Sequence, residues 1–185
     1  MKKLFNRIAL PLALMVTGSA MAGSLTLTSN DIVNGKYMDK AQEFQGFGCE
    51  GGNSSPQLSW SGVPKGTEAF ALLVHDPDAP TGSGWWHWQV VNISKSAKSL
   101  PAGAGSPASP NAPTGVINVK NDYGVEGFGG ACPPKGHGTH RYRFTLHALS
   151  KKLELPEGAS GALTGYMVKA HTIESSTIEA LYKRD

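Results

Sequence analysis

Phe70-Ala71-Leu72-Leu73-Val74 runs directly into His75-Asp76-Pro77-Asp78-Ala79-Pro80, and Trp85-Trp86-His87-Trp88 follows within a few residues. The five apolar residues read as a buried strand. Each proline fixes its own φ and restricts the residue before it, so Asp76 and Asp78 are held in a stiff turn. A turn of this kind, capping an apolar strand, can set carboxylates at the mouth of a pocket. Asp and Pro are equally at home in an acidic surface turn, and this stretch alone does not separate the two.

Strand patterns continue on both sides. Leu25-Thr26-Leu27-Thr28 alternates, Gln57-Leu58-Ser59-Trp60 reads as a short strand, and His87 to Ile93 reads as a strong one. In a two-residue period His87 shares a face with Gln89, Val91 and Ile93. His140 to His147 alternates well, with His140, Tyr142, Phe144 and Leu146 on one face and Arg141, Arg143, Thr145 and His147 on the other. A buried histidine and tyrosine need polar partners. Thr177 to Tyr182 reads as a last strand. One helix is expected, where Ala162, Leu163, Tyr166, Met167 and Ala170 recur at helical spacing as a core stripe. Residues 99–115, rich in Pro, Gly, Ala and Ser, read as a long loop. The mainly β pattern, with its Gly/Pro turns, favours an antiparallel sandwich or barrel over a βαβ fold.

Two glycine-rich loops invite cofactor readings and fail them. Gly46, Gly48 and Gly51 match Gly-x-Gly-x-x-Gly, but Asn53-Ser54-Ser55-Pro56 is a poor start for the helix that a dinucleotide site needs. Phe128-Gly129-Gly130-Ala131-Cys132-Pro133-Pro134-Lys135-Gly136 lacks the Gly-Lys-Ser/Thr ending of a phosphate-binding loop. No cofactor is expected.

The N-terminus reads as a secretory signal peptide. Lys2, Lys3 and Arg7 form a basic segment, Ile8 to Val16 a short apolar one, and Ala20-Met21-Ala22 a cleavage site. Cleavage after Ala22 leaves 163 of the 185 residues, suited to one domain over 23–185. The chain has 17 Lys+Arg and 14 Asp+Glu, and the leader holds three of the cations, so the mature charge is zero. This argues against a nucleic-acid footprint, and no later stretch is long and apolar enough to span a membrane. Cys49 and Cys132 are the only cysteines. An exported chain, here expected in the periplasm, would join them as a disulfide.

Asp76-Pro77-Asp78-Ala79-Pro80, then Trp86-His87-Trp88-Gln89-Val90-Val91-Asn92, then Pro133-Pro134-Lys135-Gly136 with His140-Arg141-Tyr142, resemble the phosphatidylethanolamine-binding protein family, also called Raf kinase inhibitor-like. The resemblance covers nearly the whole mature chain. Gly51-x-Asn53-x-Ser55-Pro56-x-Leu58-x-Trp60 resembles its bacterial branch, and the leader and cysteine pair resemble the exported YbcL-like type. The resemblance implies a two-sheet antiparallel β-sandwich with a few peripheral helices and a small anion pocket at one end. It assigns that pocket Asp76, Asp78, Pro80, His87, His140 and Tyr142, with Gly130 and Pro134 in the lining loop. Three features depart from the family. Thr81-Gly82-Ser83-Gly84 lacks the tyrosine that eukaryotic members carry there, Cys132 replaces a pocket glycine, and no helix is evident after Tyr182.

The expected function is non-catalytic binding of phosphate- or carboxylate-bearing groups, on a small molecule or on a partner protein that it modulates. His⁺ and Tyr hydroxyls donate to oxyanions, and carboxylates orient the imidazoles. The alternative is an enzyme using the Asp/His pocket for acid–base hydrolysis of a small substrate, although no Gly-x-Ser-x-Gly elbow is present. A metal at His137, His140, Asp76 and His87 is the third reading, but His-x-x-His alone is not a recognised site. Arg141 is expected in a structural ion pair, and His75 and His147 in packing or at the surface. The oligomeric state is open, a homodimer included.

Overall fold

In a computed structural model that describes residues 24–185, the apolar run Phe70–Val74 lies in the middle of the larger sheet. Strand β5 (Ala69–Asp76) is buried at every position except His75, because both of its faces are covered. It is flanked by β6 (Trp85–Ser94) and β9 (His140–Leu149), with β8 (Ile117–Val119) and β10 (Thr172–Tyr182) outermost, in the order β10-β9-β5-β6-β8. Every pairing is antiparallel. A three-stranded antiparallel sheet, β1 (Thr26–Thr28), β4 (Leu58–Ser61) and β7 (Ser99–Leu100), in the order β1-β4-β7, packs against one face. Between the two lie Leu27, Leu58, Trp60, Phe70, Leu72, Trp88, Phe144 and Leu146. The signal peptide expected over 1–22 lies outside the described residues. None of the helices described is long and apolar enough to cross a membrane.

The other face of the larger sheet is covered by α1 (Gly161–Ala170), the α-helix among the described residues. Ser160 caps it by accepting from the Leu163 N–H. The expected core stripe is corrected here. Leu163 and Tyr166 are exposed, and Gly161, Thr164 and Val168 face the sheet. The reason is the Trp86 indole lying under the first turn. A Cβ at Gly161 would stand 2.4 Å from Trp86 Cδ1, so small residues set the buried face. The helix N-terminal carbonyl of Gly161 accepts from Gln89 Nε2 at 3.0 Å.

Two irregularities in β6 overturn a second expectation. Register slips between Val74 and His75, and between Phe70 and Leu72, place one extra β6 residue against β5 each time. A β-bulge of this kind turns two neighbouring side chains to one side. His87 therefore lies with Trp88, Val90 and Ile93 on the sandwich side, while Gln89 and Val91 face the helix. Asn92 sits in the second bulge at φ 65° and exchanges two hydrogen bonds with the Leu153 backbone, at 2.8 and 2.9 Å. It fixes the chain that leads to α1.

The last strand is longer than its pattern, and several short strands lie in stretches read as loop or given no strand. The last one begins at Thr172 rather than Thr177 and pairs with β9 along its length. Ser99–Leu100, at the start of the long loop, pairs with β4. The Gly46–Gly52 loop is a tight hairpin of β2 (Gln45–Gly46) and β3 (Cys49–Glu50). Its turn holds Phe47 and Gly48 at positive φ. Cys49 is bonded to Cys132, with Cα atoms 6.0 Å apart. The bridge ties this hairpin to the Ala131–Pro134 segment, as expected.

Candidate functional site

The C-terminal end of β5, the start of β6 and the start of β9 open into a cavity of about 200 Å³. Because β5 and β9 are antiparallel neighbours, the end of one meets the beginning of the other. This brings Asp76 to His140. Asp76 is 2% exposed and His140 1%. Asp76 Oδ2 lies 2.7 Å from His140 Nδ1, and Oδ1 accepts from the Asp78 N–H at 2.8 Å. His140 Nε2 in turn lies 2.8 Å from His137 Nδ1. His137 and His140 thus meet nitrogen to nitrogen at hydrogen-bond distance.

His87 comes from the β6 bulge. Its Nδ1 donates to the Gly129 carbonyl at 2.8 Å, which fixes the neutral tautomer and leaves Nε2 as an acceptor. Burial pushes its pKa down to about 4, against the opposing pull of the Gly129 carbonyl and the Asp76 charge. The ring lies 5.0 Å from the Tyr142 ring, edge to face. The Tyr142 hydroxyl is buried and has no hydrogen-bond partner. Burial, then the charge of the nearby Asp76 carboxylate, raise its pKa, so it stays a neutral donor; Asp76 is close to the hydroxyl but outside hydrogen-bond geometry. Trp85 also lines the cavity, and its indole N–H is likewise buried and unpartnered.

Of the residues assigned to the pocket, Asp76, Pro80, His87, Pro134, His140 and Tyr142 line it. Asp78 and Gly130 do not. The Asp78 carboxylate turns back to Arg141, accepting from its backbone N–H, Nε and Nη2 at 2.9, 2.8 and 2.6 Å. Those bonds hold Asp78 down at about 2. Gly130 stands behind the wall, its N–H donating to Asn53 Oδ1 at 2.7 Å. A Cβ there would meet the Gln42 carbonyl at 2.4 Å. It is a packing glycine that lets the wall come close.

Sequence reasoning missed Tyr123, Trp85 and Phe47. Tyr123 brings a tyrosine to the cavity from the segment before the double proline, not from Thr81–Gly84. Its ring stacks on Phe44 at 3.9 Å and its hydroxyl donates to the Gly130 carbonyl at 3.0 Å. Trp85 was within the quoted tryptophan run, so alternation from Trp85 to His87 could have found it. No local pattern marked Tyr123 or Phe47. The cavity is therefore apolar-walled, by Pro80, Pro133, Pro134, Trp85 and Phe47, over a small polar floor.

The family model for the phosphatidylethanolamine-binding protein matches residues 28–183. YbcL of Escherichia coli strain K12 is 50% identical over 169 residues, covering 91% of this chain and 92% of that protein. The crystal structure of E. coli YbcL, described as a member of the mammalian PEBP family, superposes with a TM-score of 0.85 at 49% identity, covering 88% of this chain and all of that one. The protein named "Putative lipoprotein LppC", of Mycobacterium tuberculosis strain H37Rv, is 45% identical over 115 residues, covering 62% of this chain and 53% of that protein.

Proposed function

The chain belongs to the phosphatidylethanolamine-binding protein family, and we propose that it is a non-catalytic binder of phosphate- or carboxylate-bearing groups in the bacterial cell envelope. The observation that carries this reading is the Tyr142 hydroxyl, a buried donor without a partner on the floor of a preformed cavity. Leaving such a group unsatisfied costs about 1–3 kcal/mol, and an oxyanion entering the cavity would satisfy it. The Trp85 N–H offers a second donor. His87 Nε2 can accept from a protonated oxygen of the same group. The apolar walls suit the organic part of a phosphomonoester or carboxylate.

The physiological partner on this reading is a small molecule or a protein carrying such a group, whose activity the chain modulates. The envelope location rests on the leader read over residues 1–22 and on the similarity to a protein named as a lipoprotein. The whole of 23–185 would then be one exported domain. Intact mass of the exported protein tests that, with a start at Gly23 expected and retention of residues 1–22 overturning it.

The Asp76–His140 pair keeps the hydrolytic reading in view, since it has the geometry of an oriented general base. Among the lining residues, however, the Thr81 hydroxyl is committed to the Gly84 carbonyl at 2.5 Å. Calorimetric titration with inorganic phosphate, a phosphomonoester and acetate tests the binding reading. Saturable binding weakened by Tyr142→Phe is expected. No heat from any of the three, or turnover of a phosphomonoester lost in Asp76→Asn, would overturn it.

A further inference from the structure

The cavity poses an electrostatic problem. Asp78 is neutralised by Arg141, and His87 is neutral near pH 7. Asp76 is a buried acid on the floor of the site proposed above to take an anion. An ionised Asp76 would repel the ligand unless a proton is supplied. The structure supplies a route for one. Asp76 and His140 are buried, but His137 is exposed. The two hydrogen bonds, 2.7 Å from Asp76 Oδ2 to His140 Nδ1 and 2.8 Å from His140 Nε2 to His137 Nδ1, form an unbroken line from the floor to solvent.

We propose that Asp76, His140 and His137 form a proton relay, with His137 as its surface port, through which the cavity takes up one proton from solvent as an oxyanion enters. This rests on the binding reading above and adds its regulation. Before uptake, Asp76 is ionised, His140 is protonated on Nδ1, and His137 Nδ1–H donates to the lone pair of His140 Nε2. A solvent proton bonds to His137 Nε2. The Nδ1–H bond of His137 breaks as an N–H bond forms at His140 Nε2. His137 ends neutral, with its proton on Nε2 and its Nδ1 lone pair accepting from His140. His140 ends as an imidazolium against Asp76, and the net charge of the three groups rises from −1 to 0. Each bond that breaks is matched by one that forms, and no other reactant is needed.

The surroundings of the relay are defined. Asp78 and Arg141 face it as a closed ion pair. Facing it from β6 is His87. Tyr142 of β9 and Tyr123 are both held above their usual pKa by burial. Tyr182 of β10, opposite His140 in register, is bonded to Glu43. The loop that carries His137 also holds Lys135; its Gly136 N–H donates to the Arg184 carbonyl, the Arg184 side chain donates to the Pro133 carbonyl, and Thr139 is bonded to Tyr37. The cations Lys135 and Arg184 hold no direct bond to His137, so its Nε2 is left to water.

Two measurements on the mature protein decide the matter. The first is a pH titration by nitrogen NMR of the histidine rings without ligand. The relay requires His137 and His140 to respond in one shared step. A His137 that titrates while His140 stays unchanged would overturn it. The second is calorimetry with sulfate, whose own charge is constant between pH 5 and 8, in buffers of different ionisation enthalpy. Uptake of nearly one proton per sulfate is expected for the wild type. His137→Ala, at an exposed position, should fold and lose most of that uptake. Sulfate binding with no proton taken up, or the same uptake in His137→Ala, would overturn the relay. Absence of sulfate binding would overturn the binding reading and the ligand-linked uptake with it, while the shared NMR step still judges the wire between the two rings.

Discussion

The carboxylate of Asp78 is clamped by Arg141 on the strand that follows 63 residues later, through the side chain and the backbone N–H at once. The bidentate fork fixes the turn after β5 against the start of β9. It positions Asp76 without contributing a group to the cavity. Asp78→Asn is expected to cost about 1 kcal/mol of stability and to leave anion affinity unchanged. Urea midpoints and a phosphate titration on the variant check this. A large loss of affinity at unchanged stability would return Asp78 to the site.

The pair also sets an acid limit. The Arg141 hydrogen bonds hold the folded pKa of Asp78 at about 2, below its ordinary 3.8. Its contribution is present above pH 3.8 and is lost as pH falls toward 2. Arg141 is solvent-screened, so the effect is small.

A larger acid effect comes from two histidines. Burial holds His87 and His147 at about 4, below the usual 6.5. The unfolded chain therefore takes up protons first. Stability is full above pH 6.5 and is lost as pH falls from 6.5 toward 4, by up to roughly 3 kcal/mol for each group. His147→Gln should flatten that slope and leave anion affinity unchanged, because His147 lies on the helix-side face of β9, across the sheet from Tyr142. Urea denaturation at pH 7, 5.5 and 4.5 reads the slope. Identical slopes in wild type and variant would show that His147 is not the source.

Tyr142→Phe is expected to move stability and binding in opposite directions. Removing an unpartnered buried hydroxyl leaves the fold as stable or more so. Removing a donor to a charged oxygen weakens binding by about 1.5–3 kcal/mol. A destabilised variant with unchanged affinity would place the hydroxyl in the fold and not in the site. Thermal midpoint and calorimetry on the same sample distinguish the two.

The Cys49–Cys132 bridge has a sequence separation of 83 residues. In the chain-entropy account a loop of that size stabilises by roughly 4–5 kcal/mol. Denatured, unreduced protein should show no free thiol. The Cys49→Ala/Cys132→Ala variant should melt several degrees lower. It should also weaken anion binding modestly, since the bridge joins the Phe47 hairpin to the Pro133–Pro134 wall. Unchanged melting and affinity would mean that the wall stands without it.

Much of this fold was legible locally. Period-two alternation from His140 to His147 placed the sandwich-side residues correctly, because side-chain direction in a regular strand depends only on parity. The ordered motifs around Asp76, His87 and His140 carried the family. The buried face of α1 was not legible, since Leu163 and Tyr166 repeat at helical spacing but the Trp86 indole packs against Gly161 and Gly165. His87 was grouped with Gln89 and Val91, which face the other side, because a bulge breaks parity, and a bulge is a property of two paired strands.

The sequence by itself determined the long central strands, the disulfide partners and most of the residues that meet at the end of β5, but not the short strands β2, β3, β7 and β8. Tertiary structure alone decided which of them face one another. Asp78 belongs to Arg141 and Asp76 to His140 because antiparallel register joins the end of β5 to the start of β9. Tyr123 enters the cavity by stacking on Phe44, far from it in sequence. Hydrogen-bond partnership and burial are relations between distant segments, and no window along one chain contains both members.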